Sequence, residues 1–552
     1  MPLTRRNFVT LSSLALAGAA MSPLTRVWAV PPRSRRPVAS FAAPVMAPEQ
    51  LRAIATLAIE AATQAGAAFA DIRVSEQRTY QPWADYRMAS GLRLTFGYGI
   101  RVWANGGEAF VGSADPTPEG IARAARSAVA TARDQAPIAR ARRARRPIAR
   151  PVVTGEWTVP VEIDPFQLSP DDHIIVKQGL KLSGRQAGNV TESVWTWQSE
   201  TRVFAASDGS LTTQRTTSMV CPVQVSGGEW ISGHGRIGGT LAVPGFEPRV
   251  AGVEAMLGDA AHDRLEATAD ELAPLLRLPV HMLDDVGRRD LVLDGPAFSA
   301  LVGHTLLPAL RLSRALGEEH DTEGPGFLGG PDTVVGQPLF APALNLWVEA
   351  AAPHYGAAKW DDEGMEARTV SLMEHGAVVR YLGTRENASA IAHAASSRAT
   401  TGESGASTME PPASVALGVG FAQEVMTAPA ARPGAVTVRP AQDGASLAAL
   451  AQHMQTGLLM RGTSVHPDPR GGGGVLWSGM LFDVKQGHIV RRILGGRVEF
   501  STKRVLHDAI LGGPGSVGTK IVATGGGLPF SYSRTVVSAP AALVRGVGLV
   551  RN

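Results

Sequence analysis

One cysteine in 552 residues, Cys221, excludes an internal disulfide framework. It lies in the alternating run Ser218-Met219-Val220-Cys221-Pro222-Val223 and reads as a buried structural thiol. Beyond the N-terminal segment, no stretch of about 18 apolar residues occurs, which excludes a transmembrane helix there. No two of the 13 histidines stand four or five residues apart, so a zinc-binding pair on successive helical turns is missing. There is no Gly-x-Ser-x-Gly elbow for a nucleophilic serine. The run Gly471 to Gly474 lacks the Lys and Ser/Thr of a P-loop and the spaced glycines of a dinucleotide fold, and it reads as a hairpin tip. Charge is sparse at 18% of residues, and much of the net +4 sits near the N-terminus and in Arg140–Arg150. That basic stretch has no interleaved aromatics and reads as a solvated linker, so no nucleic-acid partner is expected.

What is present begins with Thr4-Arg5-Arg6-Asn7-Phe8, ahead of a weakly apolar stretch from Leu11 to Met21. Paired arginines before a short apolar run form a twin-arginine targeting segment, too short to span a bilayer core of about 20 residues. Val27-Trp28-Ala29 supplies a small residue for cleavage after Ala29, giving a signal peptide over 1–29 and a periplasmic or secreted mature chain. The alternative is a segment retained as a membrane anchor.

The chain after residue 30 is long enough for two large lobes. Pro48 to Ala68 carries Leu51, Ile54, Leu57, Ala58 and Ala61 at helical spacing. Ala70–Val74, Arg93–Phe96, Gly99–Trp103 and Glu108–Val111 alternate like strands between Gly-rich turns and predict an antiparallel sheet. A helix opens at Thr117, a good N-cap followed by Pro118. The first lobe then spans 30–150. A central region, 151–330, mixes a helix over Pro170–Leu182 with strands at Val194–Trp197, Arg202–Ala205 and around Cys221, and with a tight turn at Ser207-Asp208-Gly209. Short glycine-punctuated β-runs fill 331–552 and predict a β-rich second lobe, with Ala395–Ser407 as a mobile loop. The fold class is α+β.

Trp360-Asp361-Asp362-Glu363-Gly364 leads through Thr369, Leu372-Met373-Glu374-His375-Gly376 and Tyr381-Leu382 to Arg385 and Ala388. This segment resembles the TldD/PmbA family of metallopeptidases and their non-catalytic relatives. Ala70–Val74 with Gly97–Val102, the Thr117–Arg133 helix and Ser207-Asp208-Gly209 agree in order, so the likeness covers nearly all of the mature chain. Three adjacent carboxylates could hold a hard cation. The following Gly364 instead points to a turn whose carboxylates cap backbone N–H groups and fix a chain crossing.

The resemblance implies a two-lobed fold and, in active members, an H-E-x-x-x-H helix with a late cysteine holding zinc. The matching helix here covers 298–317. Aligned on Arg314-Ala315-Leu316-Gly317, it puts Gly303, His304 and Pro308 where the first histidine, the glutamate and the second histidine belong. The region Gly512–Phe530 has no cysteine. One imidazole cannot hold zinc, so no metal, cofactor or catalytic residue is expected, and His304 reads as a satisfied helix histidine. Pro308 predicts a helix kinked or divided near residue 307.

The family precedent implies a non-catalytic, zinc-free subunit of a peptidase complex, a homo- or hetero-dimer with a TldD/PmbA relative and a peptide as substrate or ligand. An active hydrolase and a stand-alone periplasmic peptide-binding scaffold remain open. Gly474–Trp477 and Met480–Phe482 are candidate interface anchors, although core strands explain them equally.

Overall fold

A computed structural model describes residues 46–81, 91–141, 147–176, 189–192, 195–231, 235–257, 259–318, 326–399, 413–422, 424–468, 470–477, 479–522 and 535–551. The signal segment, the part of the expected helix beyond 176, residues 142–146 of the 140–150 linker and Gly525–Gly527 lie outside them.

Pro48 starts helix α1 (Pro48–Gln64), where the Gln50 side chain accepts from Ala47 N at 2.8 Å. Strands β1 (Phe69–Gln81), β2 (Gly91–Ala104) and β3 (Gly107–Ser113) follow as an antiparallel meander. Helix α2 (Pro118–Ala141) opens as expected, with the Thr117 hydroxyl accepting from Gly120 N. The sheet then recruits β4 (Thr154–Thr158), β5 (Thr196–Ala206), β6 (Leu211–Val220) and Arg249–Val250. Strand β5 pairs with β1, from Asp71↔Ala206 to Tyr80↔Trp197. The first sheet therefore runs across residue 150, where the sequence suggests a lobe boundary. One of its faces packs Ile72, Val74, Ile100 and Val102 against the alanine-rich sides of α1 and α2.

Helix α3 (Asp259–Leu276) packs Leu265, Ala269 and Leu272 into a second core with Trp195, Trp197, Val225 and Phe482. The sequence reading passes over this helix, and the core it builds joins the central region to the C-terminal lobe. That lobe is β-rich as expected, with a ten-stranded and a six-stranded sheet. Gly287–Leu293 lies inside the ten-stranded sheet, pairing with Gly457–Arg461 and Ala542–Arg551. One edge of that sheet is β7 (Ser464–Pro467), and the six-stranded sheet ends in β8 (Gly518–Val522) and β9 (Thr535–Ala539).

Helix α4 (Gly295–Ala309) is buried in the largest core, where Phe298, Leu301, Val302 and Leu306 meet residues of both sheets. A helix apolar all round belongs inside a core. The helix read over 298–317 is divided into two pieces, as Pro308 predicts. It stops at Ala309, extended Arg311 intervenes, and Leu312–Ala315 forms one further turn. The division falls at Leu310 and Arg311, just after Pro308, because a proline in the last turn costs only the bond it would have given His304 O.

Ala395–Ser407 is likewise not all loop: residues to 399 complete helix α5 (Arg385–Ala399), and 400–407 lie outside the described residues. Leu476, Leu481 and Phe482 are core residues, so of the proposed interface anchors only Trp477, 47% exposed, offers a large free surface.

Candidate functional site

Helix α4 carries Gly303, His304 and Pro308, the three positions that the family resemblance matches to the zinc motif. Asp294 caps it, accepting from Ala297 N at 2.9 Å, and the same carboxylate binds Arg461 and Gly462 N. Ser299 donates to Gly518 O at 2.8 Å, and one turn later Gly303 faces Val522, so the helix runs alongside β8. A Cβ at Gly303 would stand 2.2 Å from Val522 Cγ2 and 3.0 Å from Val537 Cγ2. The close helix-to-sheet approach requires glycine here, and a histidine has no room.

Within α4, Pro296 and His304 alone are not fully buried. The His304 ring is half-buried and has no hydrogen-bond partner among the described residues. Burial, then the nearby Lys520 and His466, push its pKa down to about 4. Zinc does not fit this arrangement. His304 has only His466 as a second imidazole nearby, its neighbour Lys520 is an ammonium that would repel a dication, and no group of three metal-ligating side chains occurs among the described residues.

The second concentration of chemistry is the joint between the first sheet and the segment Trp360–Met365. Alternation turns Asp71, Arg73 and Ser75 of β1 away from α1 and α2, together with Arg101, Glu200 and Arg202 on the neighbouring strands, and all six are buried. Asp362 accepts from Arg73 and Arg202, each at 2.7 Å, and from Ala422 N. Glu363 pairs with Arg101 at 2.8 Å and accepts from Arg385 N, while Arg101 also holds Asp71. Asp361 accepts from Glu363 N, Met365 N and Gly420 N. Gly364, at φ +72°, turns the chain where a side chain would strike Phe204.

The three carboxylates therefore do cap backbone groups and fix a crossing, and the charges of Asp362 and Glu363 are met by arginines rather than by a metal ion. Burial pushes the Asp362 carboxyl up, but Arg202 and Arg73 outweigh it and hold it below the usual range. Burial and Glu363 push Asp361 up to about 8, against its three N–H donors. Arg150, at the end of the basic stretch, also joins this joint: it is buried against Phe204 and bonds Ser210 and Asp208. The solvated-linker reading fails for that residue. Cys221 is fully buried, its thiol 3.8 Å from Thr196 O, as a structural cysteine should be.

The sequence flagged the acidic half of the joint through its three adjacent carboxylates but not the basic half. Arg73, Arg101 and Arg202 stand in ordinary alternating strands, and only their shared face links them.

Two family models match in order. The PmbA/TldA metallopeptidase domain 1 matches residues 90–132, and the PmbA/TldA metallopeptidase C-terminal domain matches residues 286–547. Together they cover just over half of the chain, which belongs to the PmbA/TldD family of metallopeptidase-like proteins. No curated protein matches the sequence.

Among solved structures, a Thermotoga maritima protein described as a candidate modulator of a DNA gyrase is similar at TM-score 0.62 and 14% identity, covering 90% of this chain and 99% of that one. A Bacteroides thetaiotaomicron protein described in the same way is similar at 0.58 and 13%, covering 91% and 98%. TldE from Thermococcus kodakarensis is similar at 0.58 and 16%, covering 89% and 98%. At these identities the likeness establishes the shared two-lobed fold.

Proposed function

We propose that this chain is a zinc-free, non-catalytic member of its family, working as one subunit of a peptide-handling complex with a PmbA/TldD relative that carries an intact motif. The supporting observation is the packing at Gly303. Where an active relative needs a histidine, Val522 and Val537 fill the space a side chain would require. His304 and Pro308, in the places of the glutamate and the second histidine, supply neither a water-activating carboxylate nor a second imidazole. The likeness to TldE supports a partner from the same family.

Arg5, Arg6 and Ala29 support export through the twin-arginine route, with the mature chain beginning at Val30 and acting in the periplasm. No helix among the described residues is long and apolar enough to cross a membrane.

The test is metal analysis of the dialysed mature protein, followed by light scattering with and without an intact-motif relative from the same genome. Well under one zinc per chain, together with a mixed complex that cleaves peptides, is the expected result. Near-stoichiometric zinc, or a monomer that brings no peptide cleavage on mixing, refutes the reading. For export, an Arg5→Lys/Arg6→Lys chain should stay in the cytoplasm, since the route reads the guanidinium pair.

A further inference from the structure

We propose that the cleft between Phe327, the turn at residues 468–472 and Lys503 binds a small zwitterion, the chemistry of a short peptide with both ends free. The cleft has a volume of about 600 Å³, within the range of small-molecule sites. Its turn joins β7 to the strand Gly473–Trp477. On one side Phe327 N donates to Arg470 O at 2.9 Å. On the other, Thr502 donates through its N–H to Gly472 O at 2.9 Å and through its hydroxyl to Gly471 O at 2.6 Å. The walls are therefore tied to one another by direct hydrogen bonds.

Opposite charges line this cleft without pairing. Asp468 Oδ1 accepts from Arg470 N and Gly472 N, which sets the turn, while Oδ2 has no partner among the described residues. The Arg470 guanidinium, the Lys503 ammonium and the Ser501 hydroxyl, all at the cleft, likewise have none among the described residues. A carboxylate two residues from a guanidinium that does not take it remains open to another cation, and the guanidinium to another anion.

Gly472 keeps the space clear. Gly471 sits at φ +70°, and side chains at Gly473 and Gly474 would strike Phe500 O and His466 O, so those three positions need glycine. At Gly472 the φ is ordinary, and a Cβ would meet nothing nearer than Phe327 Cβ at 3.4 Å and Asp468 Oδ2 at 3.8 Å. Neither backbone nor packing demands glycine there. A larger side chain would stand between Phe327 and Asp468, in the space the ligand takes.

The charges decide the ligand. Asp468 matches an ammonium, Arg470 and Lys503 match a carboxylate, and Phe327 offers apolar contact. A simple anion would leave Asp468 unmet, and a simple cation would leave Arg470 and Lys503 unmet. The choice of a peptide over a free amino acid rests on the peptide-handling reading. Binding is measured on this chain alone, so its failure leaves the paired-subunit reading standing, and failure of the pairing leaves the cleft.

Calorimetric titration of the mature protein with trialanine, N-acetyl-trialanine, trialanine amide and alanine tests the proposal. Trialanine should bind about tenfold or more tighter than either blocked peptide. Asp468→Asn keeps the Oδ1 acceptor of the turn and should lose the preference for the free amine. Arg470→Gln/Lys503→Gln should lose the preference for the free carboxylate, and Gly472→Leu should abolish binding. Weaker binding of alanine assigns the site to peptides; equal binding assigns it to free amino acids. Blocked peptides binding as tightly as trialanine, no trialanine binding at millimolar concentration, or unchanged binding by a folded Gly472→Leu chain overturns it. Should Gly472→Leu fail to fold, unchanged preferences in Asp468→Asn and in the double variant are the overturning result.

Discussion

The first sheet buries both of its faces, and by opposite means. Toward α1 and α2 it offers Ile72, Val74, Ile100 and Val102, and water is excluded by apolar packing. Toward Trp360–Met365 it offers Asp71, Arg73, Arg101 and Arg202, and water is excluded by matched charges and capped backbone groups. The apolar face tolerates a loss in proportion to the area removed. The ionic face does not, because removing one partner leaves another charge buried and unpaired. The junction with the C-terminal lobe is therefore specific more than sticky. Arg73 and Arg202 accept one carboxylate in one place.

The largest effect should therefore come from the ionic face. Asp362→Ala strands Arg73 and Arg202 and should cost about 3–5 kcal/mol, read as a lowered urea midpoint. The wild-type carboxyl is held below its usual range, so its contribution is fully present above about pH 4 and is lost as pH falls through the lower folded value. The variant should lack that acid-dependent loss. A cost under about 1 kcal/mol would show that the pairs only break even with solvation.

On the apolar face, Ile72→Ala should cost about 2–4 kcal/mol with no such pH dependence. If its loss varied with pH as the wild-type Asp362 contribution does, the two faces would not be energetically separate.

Helix α4 gives a third and smaller test. A glycine-to-alanine change inside a helix ordinarily gains about 0.5–1 kcal/mol. At Gly303 the sign should reverse to a loss of about 1–3 kcal/mol, because the new methyl meets Val522 and Val537. A gain in melting temperature for Gly303→Ala would mean that α4 can move off β8, and the packing argument against a histidine there would fall with it.

How far the sequence could foretell these regions depended on the range of the interactions. Local signals were legible: Pro48 and Thr117 mark real helix starts, and the strand runs from Ala70 to Val111 form the antiparallel meander. The Asp361–Gly364 turn was readable too, since a carboxylate capping N–H groups two to four residues on is a local event. Alternation in β1 reveals that one face is polar, but a solvated face and one buried on arginine pairs give the same pattern.

Non-local pairing was equally silent. Strand β5 joins β1 from more than 100 residues away, so the lobe boundary drawn at residue 150 cuts through a sheet. At α4, the motif positions Gly303, His304 and Pro308 could be placed by resemblance. The valines that fill the space at Gly303, and the lysine beside His304, come from more than 200 residues further on and carry no sequence signal.

The smallest expected effect lies at the rim of the ionic face, where like charges meet. Burial and the neighbouring Glu386 push the Glu108 carboxyl up to about 8, with Arg101 opposing. Its folded form therefore keeps a proton that the unfolded chain releases near pH 4.5. Stability from this group is fully present below that value and is lost as pH rises toward 8, the reverse of Asp362. Glu108→Gln keeps the shape, removes the charge and should stabilise the protein by about 1–2 kcal/mol at pH 8.5, while changing little at pH 5. Melting temperatures of both proteins at the two pH values measure this directly. Glu386→Gln should give a similar alkaline gain, since relieving either member of a like-charged pair frees the other. An equal gain at both pH values would assign the effect to packing, and Glu108 would then belong with the apolar face rather than the ionic one.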